Sequence, residues 1–243
     1  MRVNTDGVLL GAWMSLEPAD KYLLDVGTGT GVIALMAAQR LGNSLSANKF
    51  VIHAIDNDSR SYADAEKNFK ESQWCENLYA ENISFQNFSK INSKKIDFIF
   101  TNPPYFTDSL KSPDKEKTGA RHNDTLSQAD LINGVTSCLR EGGRFALILP
   151  SAEAMAFIGK INFLEKLFLR EEGKGCFLQL SRRCNVIYKA GDVPQRVMME
   201  FVFKQKGADC TTIRSIDKTL TISGNTGYTQ EYMHLTKEFY LNF

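Results

Sequence analysis

A short apolar run, Tyr22-Leu23-Leu24-Asp25-Val26, opens directly into Gly27-Thr28-Gly29-Thr30-Gly31, and from Val32 to about Leu41 apolar residues recur at helical spacing. Strand, glycine turn and helix in that order form the first half of a βαβ unit, which builds a parallel sheet. The alternation continues. Phe50 to Ile55 reads as a second strand. The helix after it carries Ala63, Ala65 and Phe69, ends near Trp74, and has Asp58 as its expected cap. Ile83-Ser84-Phe85-Gln86 is expected to be the third strand and Ile96 to Thr101 the fourth. A helix capped by Ser127 should run from Leu126 to Leu139, followed by a fifth strand from Arg144 to Leu149. Pro150-Ser151 opens a long amphipathic stretch to about Arg170. Phe177-Leu180 and Asn185-Tyr188 read as one strand or a bulged pair, and Arg196 to Lys204 as the last sheet strand. With no helix between them, these two should form an antiparallel hairpin through Gly191-Asp192-Val193-Pro194. The expected fold is α/β, a mostly parallel sheet with a C-terminal antiparallel hairpin.

The whole of residues 1–243 is expected to be one domain, because no linker or low-complexity tract interrupts it. Residues 1–20 should pack on it as a short helix, and 207–243 should form an extension with a short strand at Leu220-Thr221-Ile222-Ser223 and an aromatic end. Apolar residues make up 43% and charged residues 23%, as in ordinary soluble domains. No apolar run approaches the ~20 residues that span a bilayer, and Met1 to Asp6 has no signal-peptide core. Five cysteines without a Cys-x-x-Cys pair read as reduced thiols of a cytoplasmic protein. His53, His122 and His234 are far apart in sequence, so no metal site is expected.

Glycine spacing selects the ligand of the turn. In a dinucleotide fingerprint the third glycine would stand at position 32, which is Val32; here it comes one residue early, at Gly31. The pattern Asp25-x-Gly27-Thr28-Gly29-x-Gly31 resembles the S-adenosylmethionine site of class I methyltransferases, whose ligand has an aminocarboxylate in place of a pyrophosphate. Asp56, with Asn57 beside it, closes the second strand twenty-five residues after Gly31. An acidic residue there can accept hydrogen bonds from both ribose hydroxyls; the plain alternative is a turn residue. Class I methyltransferases often hold adenine with an acidic residue after the third strand. Asn87 is expected in that place, and Phe88 could pack on the adenine face.

The fourth strand delivers Asn102-Pro103-Pro104-Tyr105 at its carboxyl end, where open α/β sheets bind ligands. An exocyclic aromatic amine is a poor nucleophile because its lone pair is delocalised. The Asn102 carboxamide oxygen and the Pro103 carbonyl can each accept one of its hydrogens, which draws the nitrogen toward a tetrahedral shape. Tyr105 offers a stacking face worth ~1–3 kcal/mol. Residues 106–127 are expected to form a mobile loop that orders on substrate, with Arg121 placed to meet phosphate. The net charge of the chain is +1, yet residues 160–206 carry a net +5 against −3 for residues 1–159. Arg182, Arg183, Lys189 and Arg196 in that basic stretch are candidate RNA contacts, expected at or near the ends of the last two strands.

Val3-Asn4-Thr5-Asp6-Gly7-Val8-Leu9-Leu10-Gly11-Ala12-Trp13, Asn102 to Phe106, Ala120-Arg121 and Thr236 to Leu241 together resemble the bacterial tRNA methyltransferases that modify adenine 37 of valine tRNA at N6. The resemblance runs over essentially the whole chain. It implies a Rossmann-like seven-stranded class I methyltransferase sheet, S-adenosylmethionine as cofactor, tRNA as partner, and Asn102 to Tyr105 as the amine clamp. In that family a further segment precedes the Thr5-Asp6-Gly7 block, whereas here the chain begins almost on it; contacts made from such a segment fall outside what the resemblance implies. The clamp also serves enzymes that methylate protein glutamine amides, guanine N2 in ribosomal RNA, or adenine in DNA. A methyltransferase-like binding protein without turnover is the non-enzymatic alternative.

Overall fold

The computed structural model describes residues 4–43, 49–104, 126–170, 176–205 and 215–241. Eight strands form one sheet: β1 (Tyr22–Val26), β2 (Val51–Asp56), β3 (Leu78–Asn82), β4 (Ile96–Thr101), β5 (Leu139–Pro150), β6 (Cys176–Lys189), β7 (Arg196–Gln205) and β8 (Ile216–Ser223). Their order is β3-β2-β1-β4-β5-β7-β6-β8. β1 to β5 run parallel, β7 is antiparallel to both β5 and β6, and β8 pairs parallel with β6. β4, Ile96-Asp97-Phe98-Ile99-Phe100-Thr101, is buried at every position, as a central parallel strand covered on both faces must be.

Two apolar cores lie on the two faces. α1 (Thr5–Trp13), α2 (Val32–Gly42), α3 (Ser59–Lys70) and α7 (Gln230–Thr236) cover one through Leu9, Leu10, Ala34, Phe69 and Tyr232. α4 (Phe85–Ile91), α5 (Gln128–Cys138) and α6 (Ser151–Arg170) cover the other through Phe85, Phe88, Leu131, Val135 and Phe157. Caps set the helix starts. Asn4, Asp58, Ser84 and Thr229 each accept from a first-turn amide, and Ser127 forms a reciprocal capping box with Asp130.

Three sequence expectations are corrected. The third strand is Leu78–Asn82; Ile83 to Gln86 is not a strand. Ser84 caps α4, and Phe85 and Phe88, three apart, bury one helical face. The sheet has eight strands in place of seven, because β8 begins at Ile216. Its first four residues are exposed, so no apolar alternation announces them. Finally, Arg182 and Arg183 are not near a strand end, because Phe177-Leu180 and Asn185-Tyr188 form one strand, one of the two readings expected, through an irregularity between Leu180 and Arg182. Arg182 and Arg183 therefore stand in the middle of β6, while Lys189 and Arg196 are at strand ends.

Candidate active site

The turn after β1 is pinned to β2. The amides of Gly27 and Thr28 donate to the Ile55 carbonyl at 2.9 and 3.0 Å, and Gly31 donates to Thr28 at 2.9 Å. Two glycines here are required for different reasons. Gly31 has φ +81, and a Cβ would fall 2.4 Å from the Phe69 ring, so it lets α2 seat against α3. Gly27 has φ +70, and a Cβ there would meet nothing within 4 Å. Backbone at Gly27 therefore faces open space that a ligand can enter.

Two carboxylates flank this turn. Asp25 is fully buried, and its Oδ2 accepts from the Thr28 hydroxyl at 2.7 Å. Its Oδ1 has no partner among the described residues. Burial pushes its pKa up to about 7, which the Thr28 hydroxyl and the nearby Ala34 amide only partly offset. A buried acceptor left open in this way suits a cationic or N–H donor group of a ligand. Asp56, at the end of β2, accepts from the Gly29 amide through Oδ2 and from the Asp58 amide through Oδ1, both at 2.9 Å. These bonds fix its orientation while each oxygen keeps acceptor capacity. Asn57 is exposed beside it. The side chain of Asn82, at the end of β3, donates to the Asp56 carbonyl at 2.8 Å.

Asn87 and Phe88 are displaced from their expected place. Both lie on α4, not at the end of a strand. Asn87 is exposed, and Phe88 is buried with its ring centroid 5.2 Å from that of His53, edge to face. Packed in the core, the Phe88 ring has no free face for a base. The residues that follow β3 are Ile83 and Ser84, and the capping role of Ser84 was the signal for this shift.

At the end of β4, Thr101 is fully buried and donates to the Val26 carbonyl at 2.6 Å, tying this strand end to β1. Asn102 follows half-buried, Pro103 buried and Pro104 exposed. The Asn102 side-chain nitrogen donates to Asn4 Oδ1 at 3.4 Å. With its nitrogen turned to Asn4, the carboxamide leaves its oxygen as the acceptor for a substrate. Tyr105 and Arg121 lie outside the described residues, as does the expected loop from 106 to 125.

Sequence reasoning treated α1 as packing and missed that it walls the site. Asp6 accepts from the Tyr188 hydroxyl at 2.7 Å and from Arg196 Nε at 2.8 Å. At the other end of α1, Arg40 Nη1 donates to the Gly11 and Met14 carbonyls at 2.8 and 2.9 Å, and Glu200 accepts from the Ser15 amide at 3.0 Å. Burial, and then the charge of Arg182, lower the pKa of Arg40. Arg182 donates to the Trp13 carbonyl and lies 3.8 Å over the Trp13 ring. Arg183 pairs with Asp217 at 2.6 Å. Three of the four basic candidates thus hold the protein together, and Lys189 is exposed at the end of β6. An acidic residue in an otherwise apolar helix, Asp6, was the readable sign of this wall.

Residues 7–171 match the family described as the methyltransferase small domain. Over 242 residues the chain is 39% identical to a Bacteroides fragilis protein named tRNA1(Val) (adenine(37)-N6)-methyltransferase, covering 99% of this chain and 91% of the relative. The chain belongs to that family. Another tRNA1(Val) (adenine(37)-N6)-methyltransferase, from Mannheimia succiniciproducens, is 36% identical over 243 residues, 100% of this chain and 89% of its own. Two solved structures share the fold at low identity. One, described as a predicted O-methyltransferase from Agrobacterium tumefaciens, is 12% identical with a TM-score of 0.65 over 96% of both chains. The other, a SAM-dependent O-methyltransferase from Thermotoga maritima, is 16% identical with a TM-score of 0.51 over 83% of this chain and 66% of that one. The tRNA1(Val) (adenine(37)-N6)-methyltransferase family thus presents its site here on a class I methyltransferase fold. Among the described residues no group of His, Cys, Asp or Glu could hold a metal ion, and no helix is long and apolar enough to cross a membrane.

Proposed function

We propose that this protein transfers a methyl group from S-adenosylmethionine to N6 of adenine in tRNA, with adenine 37 of valine tRNA as the target. The observation that carries the reading is the orientation of Asn102. Its amide nitrogen is engaged by Asn4, which leaves the oxygen as the acceptor at the carboxyl end of β4, a strand end tied through Thr101 to Val26 beside the glycine turn. The names and near-complete coverage of the relatives support the choice of acceptor.

The residues present fit the cofactor. Asp25, with its open buried oxygen, suits the ammonium group, and Gly27 gives close access to backbone. Asp56, held by two amides, suits the ribose hydroxyls, with Asn57 alongside. When bound, the cofactor supplies an electrophilic methyl on a sulfonium sulfur. The chain's own part is positioning and charge. The Asn102 oxygen and the Pro103 carbonyl accept the two amine hydrogens and stabilise the positive charge that grows on nitrogen. Attack by the neutral amine needs no prior proton removal, and the surplus proton leaves afterwards. Tyr105 supplies the stacking face for a base flipped out of its loop.

Incubation of the protein with labelled S-adenosylmethionine and total RNA, DNA and protein tests this, with the modified base located by mass spectrometry. The expected product is N6-methyladenine in a tRNA anticodon loop. Methyl on a glutamine, on guanine or in duplex DNA would overturn the acceptor while leaving the clamp intact.

A further inference from the structure

A pocket lies away from the clamp, on the α1 and α7 side of the sheet. It has a volume of about 340 Å³, and its lining includes Trp13, Arg182, Ile216, Lys218, Leu220 and Leu235. Such a volume is at the small end for ligand sites, the size for one planar group. The apolar lining residues are Trp13, Ile216, Leu220 and Leu235; Arg182 and Lys218 supply cations against the carboxylate of Glu231, while the charge of Arg183 is met by Asp217. Arg182, Ile216, Lys218 and Leu220 alternate along β6 and β8 so that their side chains share the face that the pocket opens on.

Sheet register fixes the pocket's distance from the clamp. Thr101, the residue before Asn102, pairs with Leu147, then Met199, Arg183 and Asp217 in successive strands. Four strand spacings amount to roughly 19 Å. The pocket is therefore level with the clamp on the flank of the sheet away from the glycine turn, a span that a few nucleotides of backbone cover.

We propose that this pocket takes a second nucleotide of the tRNA, its unstacked base among Trp13, Ile216, Leu220 and Leu235 and its phosphate at Lys218. The assignment rests on tRNA being the substrate. The occupant is chosen by the combination of apolar, aromatic-lined interior and cationic surplus, the pairing that single-stranded nucleic acid calls for. The subsite reads or positions RNA at a place separate from the methylated base and so contributes to the choice of tRNA.

Lys218 is exposed on the edge strand and makes no ion pair among the described residues, so Lys218→Glu tests the site without disturbing the core. The expected result is a KM for tRNA raised about tenfold, the scale of one charge-assisted contact. The slope of log affinity against log salt should fall by about one. Turnover at saturating tRNA should hold, the thermal midpoint should hold, and Lys218→Arg should restore KM. In parallel, a photoreactive benzoyl-phenylalanine at position 216 should cross-link one tRNA nucleotide other than the methylated adenine. An unchanged KM and salt slope, or an absence of RNA cross-link from a variant that still methylates tRNA, would overturn the subsite alone. Cross-linking to a protein in place of RNA would overturn it too and mark the pocket as a protein-docking site. Failure of the wild-type protein to methylate any tRNA is a different result; it would overturn the proposed function and remove the subsite with it.

Discussion

Replacing Asp25 by Asn exposes what the cofactor cradle costs the empty protein. Asp25 is fully buried, and its pKa rises from the ordinary 3.8 to about 7, chiefly through burial. The folded state therefore holds the proton more tightly than the unfolded chain does. Stability from this group is fully present below pH 3.8 and is lost as the pH rises through about 7. At about 1.4 kcal/mol per pH unit, the interval corresponds to about 4 kcal/mol. Asn cannot ionise, but its NH2 would stand where Oδ1 has no partner, at a cost of ~1–3 kcal/mol. Asp25→Asn should thus be the less stable protein near pH 4 and the more stable one near pH 8. The difference between the two should move by about 4 kcal/mol across that range, on the order of 10 °C in melting temperature for a chain of this size. Calorimetric melts of both proteins from pH 4 to 8.5 without cofactor measure it. A difference constant to within about 1 kcal/mol over that range would refute the claim that Asp25 titrates there. Saturating S-adenosylmethionine should flatten the wild-type curve, because a cation beside the carboxyl favours its ionised form.

Other perturbations separate binding, chemistry and scaffold. Asn102→Ala should lower turnover by ~10²–10³ with cofactor affinity nearly intact, the effect of losing one transition-state contact, as read by single-turnover kinetics and calorimetry. Gly31→Ala should destabilise the fold by ~2–4 kcal/mol in urea titration, since φ +81 strains any side chain and the new Cβ collides with Phe69. Arg182→Glu should cost ~2–3 kcal/mol of stability, through loss of the Trp13 contacts and a new charge near Glu200, and this should show in melts without RNA. A variant as stable as the wild type would return Arg182 to the list of surface RNA contacts.

What could be read in the chain was whatever depended on local pattern. β1, the turn after it and β4 stand where the apolar runs end in Gly27 and Asn102, because a strand buried on both faces has a continuous signature. Ser127 and Asp58 were legible as caps for the same reason. The third strand was misplaced because Ile83 and Phe85 are two apart, as in a strand, while Phe85 and Phe88 are three apart, as in a helix, and only the Ser84 cap decides for a helix. β8 was short-read because an exposed edge strand need bury nothing over its first half. The internal partners of Arg182, Arg183 and Arg196 were not legible, because charge in a sequence does not reveal its partner. Asp6 is 190 residues from Arg196 along the chain, and the Trp13 carbonyl is 169 residues from Arg182.

Those separations have a consequence for how the protein is made. α1 packs on α2, and Arg40 reaches back to the Gly11 and Met14 carbonyls across only 29 and 26 residues, so this contact can form as soon as both helices exist. The other ties of the segment run to Asn102, Arg182, Tyr188, Arg196 and Glu200, at sequence distances of 98 to 190 residues. Those to β6 and β7 must wait until both strands have been made. In the meantime the βαβ half can form around β1 and β4 with α1 resting on α2. Closing loops of that length is slow, so the bonds of α1 to β6 and β7 should form in a late step of folding. The wall that Asp6 ties to Arg196 is then fixed only after the glycine turn already stands.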